Sequence, residues 1–274
     1  MTLIPTHFHG KRPEGAIERA LEGLPMPRVL GTDYGLVFVN KHGGKEANEI
    51  WAARDAQQTQ KLISEGDYHA VHYDIELRTL FYTRGTALYA WRQQLLHDFG
   101  SPAWGITSYK NGLAIALDTE NRVANQAGKE LFTGLNDPLS LTVLNRELYH
   151  TESSGGGKAL VKTPKEIIKK WNTGVRGITT LDNMLYVGTN EGKLFKYDGK
   201  KIEEIVSLKT ALWSLQGVLT PDGPVVYAGG PFSGIRVIPL NKPKNRTRIL
   251  EKETGGVLSI ARVPLPYIMH MLAN

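Results

Sequence analysis

Val175 to Leu208 reads VRGITTLDNMLYVGTNEGKLFKYDGKKIEEIVSL, and this stretch governs the reading of the whole chain. Four short β-rich runs are separated by Asp182-Asn183, Asn190-Glu191-Gly192 and Asp198-Gly199-Lys200-Lys201. Each separator is a turn signal with a mechanism, because Gly and Asn accept the positive φ that tight hairpins require. The stretch therefore predicts one four-stranded antiparallel meander.

Working outward, the first run is anchored on Ile178, and equivalent apolar positions fall at Val29, Tyr73, Ile106, Leu141, Leu215 and Ile260, at intervals of 33 to 45 residues. Second runs follow at Gly35, Thr79, Gly112, Glu147, Met184, Val225 and Tyr267. That period matches a radial array of four-stranded blades. Seven copies are counted, the last stopping after two strands. Leu3–Lys11 and Glu14–Leu24 resemble Gly192–Leu208 in pattern, so they are expected to complete it. The competing reading makes Glu14–Leu24 a helix, since Ala, Glu, Leu and Arg dominate it.

The pattern resembles the β-propeller superfamily, in particular WD-repeat-like and quinoprotein-like propellers, nearly end to end. The resemblance is architectural. No blade carries the Gly-His and Trp-Asp pair of WD repeats, and the regular tryptophan signature of quinoprotein blades is absent, so no family's functional residues are carried over. The expectation is an all-β chain forming a single closed seven-bladed β-propeller over residues 1–274, with residues 1–27 and 255–274 sharing the closing blade and so hiding exposed sheet edges.

The chain has 274 residues, no cysteine and a formal charge of +6. Cysteine-free sequences have neither disulfides nor thiolate chemistry, which fits a reducing compartment. No secretory leader pattern opens the sequence, and no apolar run approaches the ~20 residues that cross a bilayer. A cytoplasmic protein without a membrane partner is expected. The basic excess concentrates in Lys162–Lys170 and Lys242–Arg248, where it reads as the solvated edge of outer strands.

In such a ring the first strands approach the central channel from one face, here termed the top. The rim column two residues before the anchors reads Pro27, Val71, Trp104, Leu139, Arg176, Trp213 and Leu258. Two tryptophans flanking a lone arginine have the composition of a recognition hot spot. The alternative is that Trp104 and Trp213 plug the channel as core. Glycine-rich top loops place Lys45, Lys158 and Phe232 nearby; such backbone can bind anions, although none of these loops opens a helix as a P-loop does. The pair His7 and His9 supplies half a metal site with no second pair to complete it. No nucleophile elbow, His-Glu-x-x-His motif or repeated carboxylate pair is present.

These residues point to a non-catalytic module that binds a protein segment or small ligand at its top face, with no cofactor, no metal and no nucleic-acid partner. The alternative is a hydrolase or lyase acting at the channel mouth. If Lys165, Lys169, Lys170, Lys242, Lys244 and Arg246 form only a solvated edge, duplex DNA binding measured by fluorescence anisotropy is expected to be weak and to vanish as salt rises to physiological strength. Sequence-specific binding that survives that salt would contradict the reading.

Overall fold

The computed structural model describes residues 34–41, 48–54, 59–153, 158–250 and 255–272. Chain order begins with β1 (Tyr34–Lys41), β2 (Asn48–Ala53) and β3 (Thr59–Gly66). The second sheet is β4 (Tyr68–Asp74), β5 (Thr79–Arg84), β6 (Ala87–Ala90) and β7 (Gln94–Asp98). The third is β8 (Ala103–Tyr109), β9 (Gly112–Leu117), β10 (Arg122–Asn125) and β11 (Glu130–Thr133). The fourth runs from β12 (Pro138–Leu144) through β13 (Glu147–Glu152) and β14 (Ala159–Lys162) to β15 (Glu166–Lys170). The fifth is β16 (Val175–Leu181), β17 (Met184–Thr189), β18 (Lys193–Tyr197) and β19 (Ile202–Ser207). The sixth is β20 (Ser214–Thr220), β21 (Gly223–Gly229), β22 (Ile235–Pro239) and β23 (Thr247–Ile249). Then β24 (Gly256–Pro264) returns to the first sheet, which has the order β24-β1-β2-β3, and α1 (Leu265–Leu272) follows.

Among the described residues the ring therefore has six four-stranded blades, not the seven expected. The closing blade does join the two ends of the fold, but it takes one strand from the C-terminal side and three from residues 34–66. Ile260 of β24 lies opposite Phe38 of β1, so the run beginning at Gly35 and the anchor at Ile260 belong to one blade that the sequence count had split into two. The expected strand at Tyr267 is α1. Pro266 presets a helical φ in its first turn, and the buried pair Ile268 and Met271, three apart, has helical spacing. The proposed strands at Leu3–Lys11 and Glu14–Leu24, with the anchor at Val29, lie outside the described residues.

Each blade is covered on both faces by its neighbours, which is why the strands nearest the axis read as near-continuous apolar runs instead of alternating ones. In β1, Val37 and Val39 pack with Tyr68, Leu80 and Tyr82 of the second blade. The intervening Leu36 and Phe38 pack with Val218, Tyr227 and Val237 of the sixth. All four β1 residues are fully buried. The first strands crowd the axis closely enough that Gly105 is obligatory, since a Cβ there would collide with the carbonyl of Leu139. The hairpins at the lower face carry positive φ at paired positions, 52° and 55° at Asp182 and Asn183, 52° and 67° at Asn145 and Arg146, as primed turns require.

Because Phe38 sits at the closure seam, Phe38→Ala is expected to lower the unfolding free energy by ~3 to 5 kcal/mol in urea titrations. Leu219→Ala, at a position 51% exposed, is expected to cost less than ~1 kcal/mol.

Candidate functional site

The six first strands of the blades, β24, β4, β8, β12, β16 and β20, surround a cavity of about 670 Å³ on the axis. One residue from each forms an apolar girdle: Ile260, Val71, Ile106, Leu141, Ile178 and Leu215. Their exposures fall between 5 and 8%, a sign that a single register places all six. Cross-strand pairing confirms it, because Val71 faces Tyr82 just as Ile178 faces Val187. The anchor of the second blade is thus Val71, two residues before the expected Tyr73.

Correcting that register changes the rim. Among the described residues the column two before the girdle is Leu258, His69, Trp104, Leu139, Arg176 and Trp213, so His69 takes the place assigned to Val71. Two pairs result, separated by Leu139 on one side and Leu258 on the other. His69 stacks flat on Trp104, with ring centroids 4.1 Å apart and planes inclined by 6°. The Arg176 guanidinium lies 5.8 Å from the centre of the Trp213 ring. Trp104, Arg176 and Trp213 are all half-buried, so they neither stand free in solvent nor plug the core.

Several polar atoms at this level are buried without a hydrogen-bond partner: His69 Nδ1, Trp104 Nε1, Arg176 Nε and Ser214 Oγ. The other ring nitrogen of His69 contacts Asp67 at 2.9 Å. Burial lowers the pKa of Arg176, with no opposing contribution from an acid. Buried, unsatisfied donors are costly, and several gathered on one rim mark a place where a ligand can supply acceptors.

The remaining predicted residues are arranged differently. Phe232 lies under the Arg236 guanidinium, 4.7 Å from its ring centre, and packs on the cluster containing Leu208 and Leu212. The ammonium of Lys158 donates to the Asn172 carbonyl at 3.4 Å, toward the outer strands. Lys45, His7 and His9 lie outside the described residues. The basic residues from Lys165 to Lys170 and from Lys242 to Arg246 are exposed on or beside β15 and β23.

Below the girdle the channel wall turns polar, with His72, Thr107, Thr142, Thr179 and Gln216 at successive first strands. His72 Nε2 lies 2.7 Å from Ser108 Oγ, and that hydroxyl donates to Asp74 Oδ2 at 2.6 Å. The other Asp74 oxygen accepts the amides of Glu76 and Leu77. Since the serine hydrogen points to the carboxylate, the imidazole must donate, which places its hydrogen on Nε2. Ser108 was not singled out in the sequence; its only signal is a polar residue two places after the girdle. At the lower mouth Leu219, Pro264 and Ile75 form an apolar arc on three consecutive blades, and Arg262 lies 4.2 Å from the centre of the Tyr34 ring. Among the described residues no three His, Asp or Glu side chains are grouped to hold a metal ion.

No family model matches the chain, and no curated protein matches its sequence. Solved structures do. A chain from a crystal structure of a nidogen/laminin complex superposes with a TM-score of 0.66 at 13% identity, covering 84% of this chain and 98% of that one. The WD40 β-propeller domain of Doa1 gives 0.59 at 12% identity, with 87% of each chain covered. This chain is a β-propeller. At such identities the likeness concerns the fold alone, and the propeller's rim residues have to be judged on their own chemistry.

Burial pushes the His72 pKa down to about 4 even though Asp74 acts in the opposite direction. The unfolded chain therefore binds a proton near pH 6.5 that the folded one refuses until about pH 4. Stability due to this group is present above pH 6.5 and lost on descending through that window. The expected loss is ~3 kcal/mol, read as the difference between the urea-unfolding pH profiles of the wild type and His72→Gln.

Proposed function

We propose that this propeller is a binding module that captures a protein segment at its top mouth through Trp104, Arg176 and Trp213. The observation carrying the proposal is the pairing of aromatic and cationic side chains on a rim whose buried donors lack acceptors. Tryptophan and arginine contribute most where they are partly desolvated and ringed by apolar neighbours, as Leu139 and Leu258 do here. A structural neighbour crystallised as a nidogen/laminin complex is consistent with a propeller face serving protein association. Among the described residues no helix is long and apolar enough to cross a membrane.

A second reading, a hydrolase acting within the channel, rests on Ser108 and its contacts with His72 and Asp74. The order differs from that of a relay in which histidine lies between acid and serine. Asp74 binds the serine directly while capping two amides, so attack by Ser108 requires another group to accept its proton.

Selection of a random peptide display library against the immobilised full chain tests the leading reading. Trp213→Ala and Trp104→Ala are each expected to weaken capture of the selected peptides by about 30-fold or more, the equivalent of ~2 kcal/mol. Their melting temperatures should fall much less than that of Phe38→Ala. Undiminished capture by both variants, or a collapse of stability matching Phe38→Ala, overturns the reading.

A further inference from the structure

We infer that the group recognised at the top mouth is a carboxylate of the bound peptide, an acidic side chain or a free C-terminus, taken by Arg176 at the seam between the fifth and sixth blades. This inference rests on the top mouth being the peptide site and specifies what that site selects.

Two observations converge on the seam. Arg176 is half-buried, it forms no ion pair among the described residues, and its Nε–H has no acceptor. The cation lies over the face of Trp213, which screens one side of the guanidinium, and among the described residues no acceptor meets its donor edge. The Ser214 hydroxyl, though also without a partner, lies on the other face of β20 against Gly229 and Val257 and takes no part in this seam.

The charge distribution gives direction. On the opposite side of the rim Asp67 contacts His69, and Asp118 at the end of β9 lies close enough to sense the charge of that imidazole. A ligand anion is repelled there and drawn toward Arg176. Arg236 of β22 donates to Thr210 and covers Phe232, Lys158 is turned to Asn172, and Lys242, Lys244 and Arg246 are exposed beside the outer strand β23. The seam therefore offers one guanidinium, stacked on Trp213, which matches the single charge and planar oxygens of a carboxylate, whereas a phosphate dianion calls for more than one cation.

The test follows the Arg176 Nε–H and tryptophan indole signals by 15N-resolved NMR of the full chain, assigned through the loss of each signal in Arg176→Lys and Trp213→Phe. Titrations use sodium acetate, neutral methyl acetate and inorganic phosphate at constant ionic strength. Acetate is expected to shift the Arg176 and Trp213 signals saturably and methyl acetate to leave them unchanged. Arg176→Gln, with a near-wild-type melting temperature, should abolish the effect, and Arg176→Lys should retain a weakened one. Tighter binding of phosphate than of acetate, an absence of saturable shifts, or shifts that persist in Arg176→Gln overturn the inference.

The peptide library supplies the second arm. Selected peptides should share Asp, Glu or a free C-terminus, and Arg176→Gln should bind them roughly 10- to 100-fold more weakly, the range for losing a charge-assisted hydrogen bond. Peptides lacking a carboxylate and held equally well by Arg176→Gln overturn the inference while leaving peptide capture standing. Failure to select any peptide defeats the peptide reading and, with it, the peptide carboxylate, even where acetate occupies the seam.

Discussion

The antiparallel pairing of β24 with β1 is the contact on which the ring depends. Every other blade is a meander whose strands are neighbours in sequence, so its internal pairing requires only short turns. The first blade is assembled across the whole chain, with Val39 opposite Ser259 and Phe38 opposite Ile260. That ladder places Ile260 in the girdle and Leu258 on the rim. It also lets Phe38 and Leu36 fill the sixth blade while Val37 and Val39 fill the second. Without β24 the second and sixth blades would each expose an apolar flank, and β1 would become an open edge.

The mouths of the channel inherit their chemistry from this closure. A shared register gives one residue per blade at each level, so the levels differ sharply: aromatic and cationic pairs set between leucines at the rim, wholly aliphatic in the girdle, largely imidazole, hydroxyl and amide below it. A side chain from a ligand entering at the top meets the girdle before it can reach His72 or Ser108. The upper and lower parts of the cavity are therefore chemically separate rooms within one space.

Much of this was legible in the sequence because turns and strands are local. The meander from Val175 to Leu208, the Asp182-Asn183 hairpin and the rim column through Trp104, Arg176 and Trp213 all follow from periodicity and turn chemistry. The number of blades did not, because strand pairing between distant segments leaves no mark in local pattern: a strand followed by a turn looks alike whether its partner is next in sequence or two hundred residues away. The place of His69 was missed for a smaller reason. The turn between β4 and β5 spans four residues, Ile75 to Arg78, where the Asp182-Asn183 turn spans two, and the extra pair displaced the register from Val71 to Tyr73. Asp74 builds the longer turn by accepting the amides of Glu76 and Leu77, a role that a carboxylate near a strand end does not announce. The serine between His72 and Asp74 belongs to the neighbouring blade, so its contacts are invisible without the fold.

Since β24 follows all the other strands in sequence, the ring can close only after almost the entire fold has been synthesised. Until residue 264 leaves the ribosome, the nascent chain can hold five complete meanders and a three-stranded remnant, with the flanks of β1 and β20 unsealed. Closure then requires one nine-residue strand to find its slot across a sequence separation of more than two hundred residues. Such long-range pairing is slow relative to hairpin formation, and exposed edges are open to association meanwhile. The decisive step of folding thus waits for β24, and the most vulnerable interval is set by the time needed to deliver a single strand.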